Sequence, residues 1–463
     1  MTRYFGTDGV RGIANKELTC ELAFALGVAA VEILGKRLVI GRDTRRSGMM
    51  LEAALVAGIT AAGGDAYTAG VVPTPAVAFL TYTIGAAGGV VISASHNPPE
   101  YNGIKFFDAQ GFKPSCDLEE AIDQRLHILF TDKAVLMGAL CTGADIGLVY
   151  PIPDAVELYV AHTIKSVSGR IGDLSGLTIA VDCGHGASAL TTPQALTRLN
   201  AQVISINTDY NGDDINVKCG STHLEQLIEL VALTHADIGV AHDGDADRIM
   251  TVDAYGNVID GDFIEMICAR DMLEHGALAS NTIVGTVMSN LGLMKAAEEL
   301  NIRVIQTAVG DSNVLAAMRE GGYLLGGEQS GHLIFLEHNT TGDGLITALQ
   351  VLAIMKTSGK SLNELSQVMH KYPQVLINVR VAETIERSTL SNLSADVELS
   401  ATITDAECEL QACGGGRVLV RASGTEPLIR VMVEAASEAE AQKHADVLAA
   451  VVAHRYGDQT SAS

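Results

Sequence analysis

Four stretches of the chain set reactive or anion-binding side chains at usable spacings. In VISASHNPPEYNGIKFF (91–107) an apolar run leads into Ser93, Ser95 and His96, then two prolines and, further on, Lys105. Proline fixes φ and removes a backbone donor, so neither helix nor sheet continues through Pro98 and Pro99. The expected result is an exposed loop holding a hydroxyl beside an imidazole, a setting for nucleophile chemistry; a polar turn after a buried strand is the competing reading. In IGVAHDGDADRIMTVD (238–253) Asp243, Asp245 and Asp247 alternate between two apolar strands. Three hard carboxylate ligands in a tight loop suit Mg²⁺. An EF-hand is excluded, because counting from Asp243 puts Arg248 where glycine is required and Ala254 where the bidentate Glu is required. A hairpin tip of solvated carboxylates stays open.

In LGGEQSGHLIF (325–335) Gly326, Gly327 and Gly331 bracket Glu328, Gln329, Ser330 and His332. Glycines allow positive φ, so polar groups can be aimed at the hydroxyls of a sugar, although such a turn also occurs as plain structure. LVRASGTEPLIRVMVEA (419–435) is a strand, a loop and a strand carrying Arg421, Ser423, Gly424, Thr425 and Arg430. Two guanidiniums, two hydroxyls and the amides of a turn make a phosphate cradle; ordinary surface arginines on an edge hairpin are the alternative. It is not a Walker loop, since no G-x-x-x-x-G-K-[ST] occurs in the chain. Arg11, Arg42, Arg45 and Arg46 stand near glycine-rich turns in YFGTDGVRG and GRDTRRSG. They are read either as a local positive potential where an anionic substrate enters or as solvated loop charges.

The elements that must position these loops follow from composition and rhythm. A chain of 463 residues exceeds one ordinary domain and implies three or four. Hydrophobic residues at 48% against 19% charged exclude disorder, and the formal charge of −24 removes the counterion-release attraction for nucleic acid, so no polyanion partner is expected. The longest apolar stretch near the start, Leu22 to Val31, lies between Glu21 and Glu32 and is too short to span a bilayer, so it reads as an amphipathic or buried helix. The opening MTRYFGTDGV has no apolar h-region, so a cytoplasmic location without membrane attachment is the expectation. Eight cysteines with no C-x₂-C spacing argue against zinc or a disulfide framework and for buried reduced thiols. Strand-length apolar runs alternate with helical stretches, as in RLVIG followed by Gly48 to Gly63, which is the rhythm of α/β domains; from about residue 374 alternating strands and a closing helix read as α+β. Breaks placed at polar or proline-bearing stretches divide the chain at 1–150, 151–255, 256–370 and 371–463.

Together the loops resemble those of the α-D-phosphohexomutase family, in the family's order and over nearly the whole chain. FGTDGVRG, VGTVMSNLGL and GGEQSGH are most similar to the branch acting on glucosamine phosphate. The resemblance implies four domains: three similar α/β domains with mixed sheets, carrying in turn a phosphoserine loop, a metal loop and a sugar loop, and a C-terminal α+β domain carrying a phosphate loop. It implies that Ser95 carries the phosphoryl group and Ser93 is a bystander. One Mg²⁺ is held by Asp243, Asp245, Asp247 and a phosphoserine oxygen. Lys105 and Arg11 assist proton movement and charge stabilisation, with His96 and His332 close by. Glu328 and Ser330 bind sugar hydroxyls, and Arg421, Ser423, Gly424, Thr425 and Arg430 hold the phosphate that is not reacting. The implied reaction interconverts glucosamine 6-phosphate and glucosamine 1-phosphate through a bisphosphorylated sugar, which turns round in the site, and supplies amino-sugar nucleotide and cell-wall precursor synthesis. The implied partners are small sugar phosphates, with a homodimer as the candidate assembly.

The chain departs from the family pattern at Ala246, where the metal loop usually has glycine, and at Ala308 and Ser312, where the branch often has Lys and Arg. His242, where relatives more often have an apolar residue, is read as structural. Mannose or glucose phosphates as substrates form the nearest rival. A metal phosphatase using Asp243 and Asp245 would expect Thr or Val where Asp247 stands, and a sugar-phosphate sensor would bind without turnover.

Overall fold

The structure is a computed structural model and describes residues 4–6, 9–382, 385, 390, 393–423 and 427–457. Its contacts divide it into two units: Met1–Met288 with Leu300–Val368, and Ser289–Glu299 with Met369–Ser463.

The first unit contains three sheets. Strands β1 (Val10–Ile13), β2 (Arg37–Arg42), β3 (Asp65–Val71), β4 (Gly88–Ile92), β5 (Tyr101–Phe107) and β6 (Val149–Pro151) lie in the order β1-β5-β4-β2-β3-β6. The second sheet is built from β7 (Thr178–Asp182), β8 (Gln202–Ile206), β9 (Ile238–His242), β10 (Ile249–Asp253) and β11 (Val258–Ile259), in the order β11-β10-β9-β7-β8. The third contains β12 (Thr282–Thr286), β13 (Arg303–Thr307), β14 (Leu325–Gly327) and β15 (Leu333–Phe335), in the order β13-β12-β14-β15. Each has the same internal plan. A strand pairs in parallel with its neighbour and the chain then returns antiparallel along its other edge: β2, β4 and β5; β7, β9 and β10; β12, β14 and β15. The sheets are therefore mixed, and the rhythm read from the sequence corresponds to a threefold repeat of topology. The Ser95, Asp243 and Glu328 loops are the three reversals from parallel to antiparallel pairing.

The central strands are uninterrupted apolar runs because both faces are covered; every residue of β4 and β9 is buried. Helix α1 (Cys20–Ile33) begins at Thr19, whose hydroxyl accepts from the Leu22 amide, and buries all of Leu22–Val31 except Phe24. The stretch too short for a membrane is thus a core helix, and among the described residues no helix is long and apolar enough to cross one. α1 packs closely on α2 (Gly48–Ala61) because two glycines face the crossing: a Cβ on Gly27 would lie 2.3 Å from the Leu55 carbonyl oxygen, and one on Gly58 would lie 2.0 Å from that of Phe24. The turn AYGN closes the β10–β11 hairpin, and β11 remains in the second sheet.

The second unit is α+β. Strands β16 (Gln374–Arg380), β17 (Gly416–Ala422) and β18 (Leu428–Ala435) form an antiparallel sheet in the order β16-β18-β17, packed against helices Val397–Ala412 and Glu438–Tyr456. Helix Leu291–Glu299 also belongs to this unit, tied in by Glu434. That buried carboxylate accepts from Asn290 Nδ2 (3.0 Å), the Leu291 amide (3.1 Å) and Arg417 Nε (2.9 Å). The reading of the cysteines as buried thiols is corrected in part: Cys183, Cys219 and Cys268 are buried, but Cys116, Cys408 and Cys413 are exposed.

Gly58→Ala inserts a methyl against a helix backbone that cannot rotate away, so it should lower stability by about 2 kcal/mol or more. Urea unfolding of the variant beside the wild type checks this; an unchanged midpoint would mean that the two helices do not cross at these glycines.

Candidate active site

The serine loop is anchored before it is reactive. Ser93, the first residue after β4, donates its hydroxyl to Asp43 Oδ2 (2.6 Å) and accepts from the Ser95 amide (2.9 Å), which makes it a hook within the loop. Arg45 bonds Asp43 through Nε (2.9 Å) and donates to the carbonyls of Ser95 (2.9 Å), Asn97 (2.7 Å) and Tyr101 (3.0 Å). Asn216 Nδ2 adds donors to the carbonyls of Ser95 (2.8 Å) and Asn97 (3.2 Å). With its backbone held this way Ser95 adopts φ of +53° and is buried, only 1% exposed. The expectation of an exposed loop is corrected: prolines break the secondary structure, but the covering groups come from elsewhere in the chain. Of the two arginine readings, exposed Arg46 fits a solvated loop charge, whereas buried Arg45 fits neither. Arg45 is buried and turned onto carbonyls, Arg42 pairs with Glu52 (2.9 Å) and exposed Arg46 pairs with Asp213 (3.0 Å), so these three form no anion-collecting patch. Arg11 reaches the serine loop, its Nη1 lying 3.4 Å from Asn97 Oδ1.

Ser95 Oγ donates to Asp243 Oδ2 at 2.6 Å and lies 3.3 Å from His96 Nδ1. Burial, with Arg248 and Arg11 nearby, pulls the His96 pKa down to about 4, so its imidazole is neutral near pH 7. The β9–β10 turn brings one oxygen each from Asp243, Asp245 and Asp247 within 4.8 Å of one another, all three residues being buried. Asp245 Oδ1 and Asp247 Oδ1 are buried without a hydrogen-bond partner, while Asp245 Oδ2 accepts from Thr74 Oγ1 (2.7 Å) and Lys105 Nζ (3.0 Å). Clustered carboxylate oxygens of this kind fit a hard divalent cation. Burial and its two acidic neighbours push the Asp243 carboxyl well above the usual range. Asp247 is held below it, since Lys105, His332 and Arg248 outweigh the opposing effect of burial. Ala246 adopts φ of +55°, the left-handed backbone that glycine takes without strain.

The β14–β15 turn is fastened to the metal hairpin by the Ile249 amide, which donates to the Gly331 carbonyl (3.0 Å). Gly331 is required there: its φ is +89°, and a Cβ would lie 1.9 Å from the Ile249 carbonyl oxygen. Glu328 Oε1 accepts from the Gly310 amide (2.9 Å), and Ser330 is exposed at the tip. His332 is buried with Nδ1 3.8 Å from Asp247 Oδ2 and Nε2 3.9 Å from Asp311 Oδ2. Burial lowers its basicity, but Asp247, Asp311 and Glu328 together raise its pKa above the ordinary value. The Gly342 amide donates to Nε2 (3.2 Å), which in the neutral ring leaves the proton on Nδ1, facing Asp247. His242 is structural, as read: it is buried, bonded to Thr192 Oγ1 (3.1 Å) and the Arg248 carbonyl (3.1 Å), and its pKa is pulled down to about 4 by burial.

In the second unit Arg421 and Arg430 lie directly opposite across β17 and β18. Burial and the Arg430 charge lower the Arg421 pKa, and like charges so placed repel unless an anion lies between them. The Ser423 amide donates to the Leu428 carbonyl (2.8 Å), closing the hairpin, while Gly424 and Thr425 lie outside the described residues. The sequence reading missed Asp43, Thr74, Lys113, Asn216 and Asp311.

Family models match the chain in four consecutive stretches: phosphoglucomutase/phosphomannomutase alpha/beta/alpha domain I over 2–130, domain II over 157–256, domain III over 260–372 and the C-terminal domain over 376–451. A phosphoglucosamine mutase of Desulforamulus reducens is 50% identical over 459 residues, covering 98% of this chain and 99% of that one. The chain belongs to the phosphoglucomutase/phosphomannomutase family. A second family member, a phosphoglucosamine mutase of Clavibacter michiganensis, is 50% identical over 98% of this chain and 99% of its own. Among solved structures, a phosphoglucomutase/phosphomannomutase family protein of Burkholderia thailandensis superimposes with a TM-score of 0.79 at 26% identity, covering 97% of both chains. N-acetylphosphoglucosamine mutase of Aspergillus fumigatus shares the fold, with a TM-score of 0.68 at 20% identity, 98% of this chain and 95% of that one.

Three variants test how this family member's serine and carboxylate loops are held. Arg45→Met leaves Asp43 buried without its cation and should cost about 3–5 kcal/mol, with Arg45→Lys recovering only part because an ammonium cannot reach the same carbonyls. Ala246→Gly should stabilise by up to about 1 kcal/mol through relief of left-handed strain. Thermal and urea unfolding measure all three; an Arg45→Met variant as stable as the wild type would remove the anchoring role.

Proposed function

We propose that the protein is a phosphoglucosamine mutase that interconverts glucosamine 6-phosphate and glucosamine 1-phosphate. The observation that carries the chemistry is Ser95 Oγ, 2.6 Å from Asp243 and beside a neutral imidazole, at a cluster of three buried carboxylates. The substrate rests on relatives of that name at about half identity over nearly the full chain.

Ser95 carries the phosphoryl group. A sugar hydroxyl attacks phosphorus, the P–O bond to Ser95 breaks as the new bond to the sugar forms, and the hydroxyl proton passes to a nearby base. The bisphosphorylated sugar turns round and returns its other phosphoryl group to Ser95 by the same exchange. Asp243, Asp245, Asp247 and a phosphoserine oxygen would hold Mg²⁺, which when bound would supply charge neutralisation at the transferring group. Lys105, tied to Asp245, and Arg11, tied through Asn97 to the serine loop, place fixed positive charge where the phosphoryl oxygens gain it. Glu328 and Ser330 receive sugar hydroxyls, with His332 beside them. Arg421, Ser423, Gly424, Thr425 and Arg430 hold the phosphate not in transfer. In this reading the stretches 1–150, 151–255, 256–370 and 371–463 contribute the phosphoserine, metal, sugar and phosphate loops respectively.

Ser95→Ala should abolish turnover with the fold intact, while Ser93→Ala retains measurable activity; more than a few per cent activity in Ser95→Ala, or labelled phosphate on another residue, overturns the nucleophile. EDTA should remove activity and lower the melting temperature, and Mg²⁺ should restore both, because the carboxylates repel one another without a cation. Full activity in metal-free buffer would remove the metal role.

Arg421→Ala should raise KM for glucosamine 6-phosphate about 10- to 150-fold, the worth of a charge-assisted guanidinium–phosphate contact. Steady-state kinetics in both directions checks it, and an unchanged KM in both excludes this loop from substrate binding. Side-by-side turnover of glucosamine, glucose and mannose phosphates separates the proposed substrate from its rivals.

A further inference from the structure

A carboxylate with no role so far stands at the start of helix Asp311–Gly321. Asp311 follows Gly310, the residue whose amide Glu328 binds, so it borders the sugar loop directly. Its Oδ2 is 3.9 Å from His332 Nε2 on the side of that ring away from Asp247. Its cation partner is Lys113, whose Nζ lies 2.7 Å from both carboxylate oxygens and 3.4 Å from Ser312 Oγ. Lys113 is delivered by the turn after β5, which Asp108 organises by accepting from the Gln110 and Phe112 amides (both 2.9 Å). The Asp311 side chain is 22% exposed, enough for a ligand to share it.

A primary ammonium seated on both oxygens of a carboxylate is the contact that the protonated amine of a 2-amino sugar would make. We propose that Asp311 selects the amino sugar: its carboxylate receives the substrate's 2-ammonium in the position now taken by Lys113 Nζ. This rests on the proposed substrate and deepens it. The hydroxyl at the same carbon of glucose or mannose phosphates forms only a neutral–ionic hydrogen bond there, without the ammonium's full charge. Lys113 keeps Asp311 neutralised in the absence of an ammonium, so that the carboxylate does not repel the substrate's phosphates. The sugar amine, flanked by carbons bearing oxygen, titrates near the α-amino range of about 7.7–8.0, so the preference depends on pH.

The test is the ratio of kcat/KM for glucosamine 6-phosphate to that for glucose 6-phosphate, measured at pH 7 and pH 9.5. Using a ratio cancels the pH dependence of the shared phosphoryl transfer. At pH 7 Asp311→Asn should lower the ratio at least about tenfold, the loss falling on the KM of the amino sugar. In the wild type the ratio should fall between pH 7 and pH 9.5 as the amine loses its proton, and in Asp311→Asn it should stay flat. Lys113→Met, which removes the resident ammonium, should keep or raise the ratio. A wild-type ratio independent of pH, an equal loss on both sugars in Asp311→Asn, or a Lys113→Met ratio as low as that of Asp311→Asn overturns the direct contact. A wild-type ratio that does not change with pH overturns the proposal even where a variant folds poorly. If the wild type itself shows no preference for glucosamine 6-phosphate, the proposed substrate fails; if it does and Asp311→Asn keeps that preference, the Asp311 assignment alone fails.

Discussion

Three carboxylates removed from water within 4.8 Å of one another are the constraint around which the first unit is arranged. Left alone they would repel and take up protons, and Asp243 is already driven that way by burial and its neighbours. The nearby donors and cations oppose this. Thr74 and Lys105 donate to Asp245, Ser95 donates to Asp243, and Lys105, His332 and Arg248 keep Asp247 ionised. The same concentration of negative charge gives a divalent cation and a phosphorylated Ser95 a physical reason to occur together, since each offsets the cost of the other.

The three sheets of this unit solve one positional problem three times. A loop that must present side chains firmly is best carried on a strand fixed from both edges, and a return from parallel to antiparallel pairing provides that. Ser95 follows β4, Asp243 follows β9 and Glu328 follows β14, each strand having a parallel neighbour on one side and the returning strand on the other. Backbone bonds fasten the Asp243 loop to its surroundings: the Thr74 amide, at the start of a helix, to the Asp245 carbonyl, the Gly344 amide, at the start of another, to the Ala246 carbonyl, and the Ile249 amide to the Gly331 carbonyl of the Glu328 turn.

What could be read from the sequence was whatever depends on near neighbours along the chain. Asp243, Asp245 and Asp247 declare themselves by alternation, Ser95 by its place before His96 and the prolines, and Arg421 and Arg430 by facing strands around a turn. The α/β rhythm and the α+β ending were also visible, but the shared plan of the sheets lies in strand direction, which residue patterns do not record. Arg45 was misjudged for the same reason: its partners at Ser95, Asn97 and Tyr101 lie 50 to 56 residues away, and a guanidinium bound to carbonyls looks in sequence like one bound to water. Ser95 was expected to be exposed because Asn216 and Asp243, which cover it, come from loops far away along the chain. Ala246 was flagged by its type alone, and its positive φ is what that position demands of any residue.

Helix Leu291–Glu299 sits with the C-terminal sheet although its flanking strands β12 and β13 belong to the first unit. The polypeptide therefore passes from one body to the other three times, and no single cut separates them. During synthesis this helix is completed about seventy-five residues before β16 begins, and Glu434 cannot be satisfied until β18 has been made. The C-terminal body is thus a late-closing element with large sequence separation between its contacts, a topology that slows assembly and leaves the helix dependent on unfinished partners. A fragment beginning at Met369 would carry Glu434 into the core without Asn290 or the Leu291 amide. The compact unit is discontinuous in sequence, so moving it intact between relatives would mean exchanging two segments together.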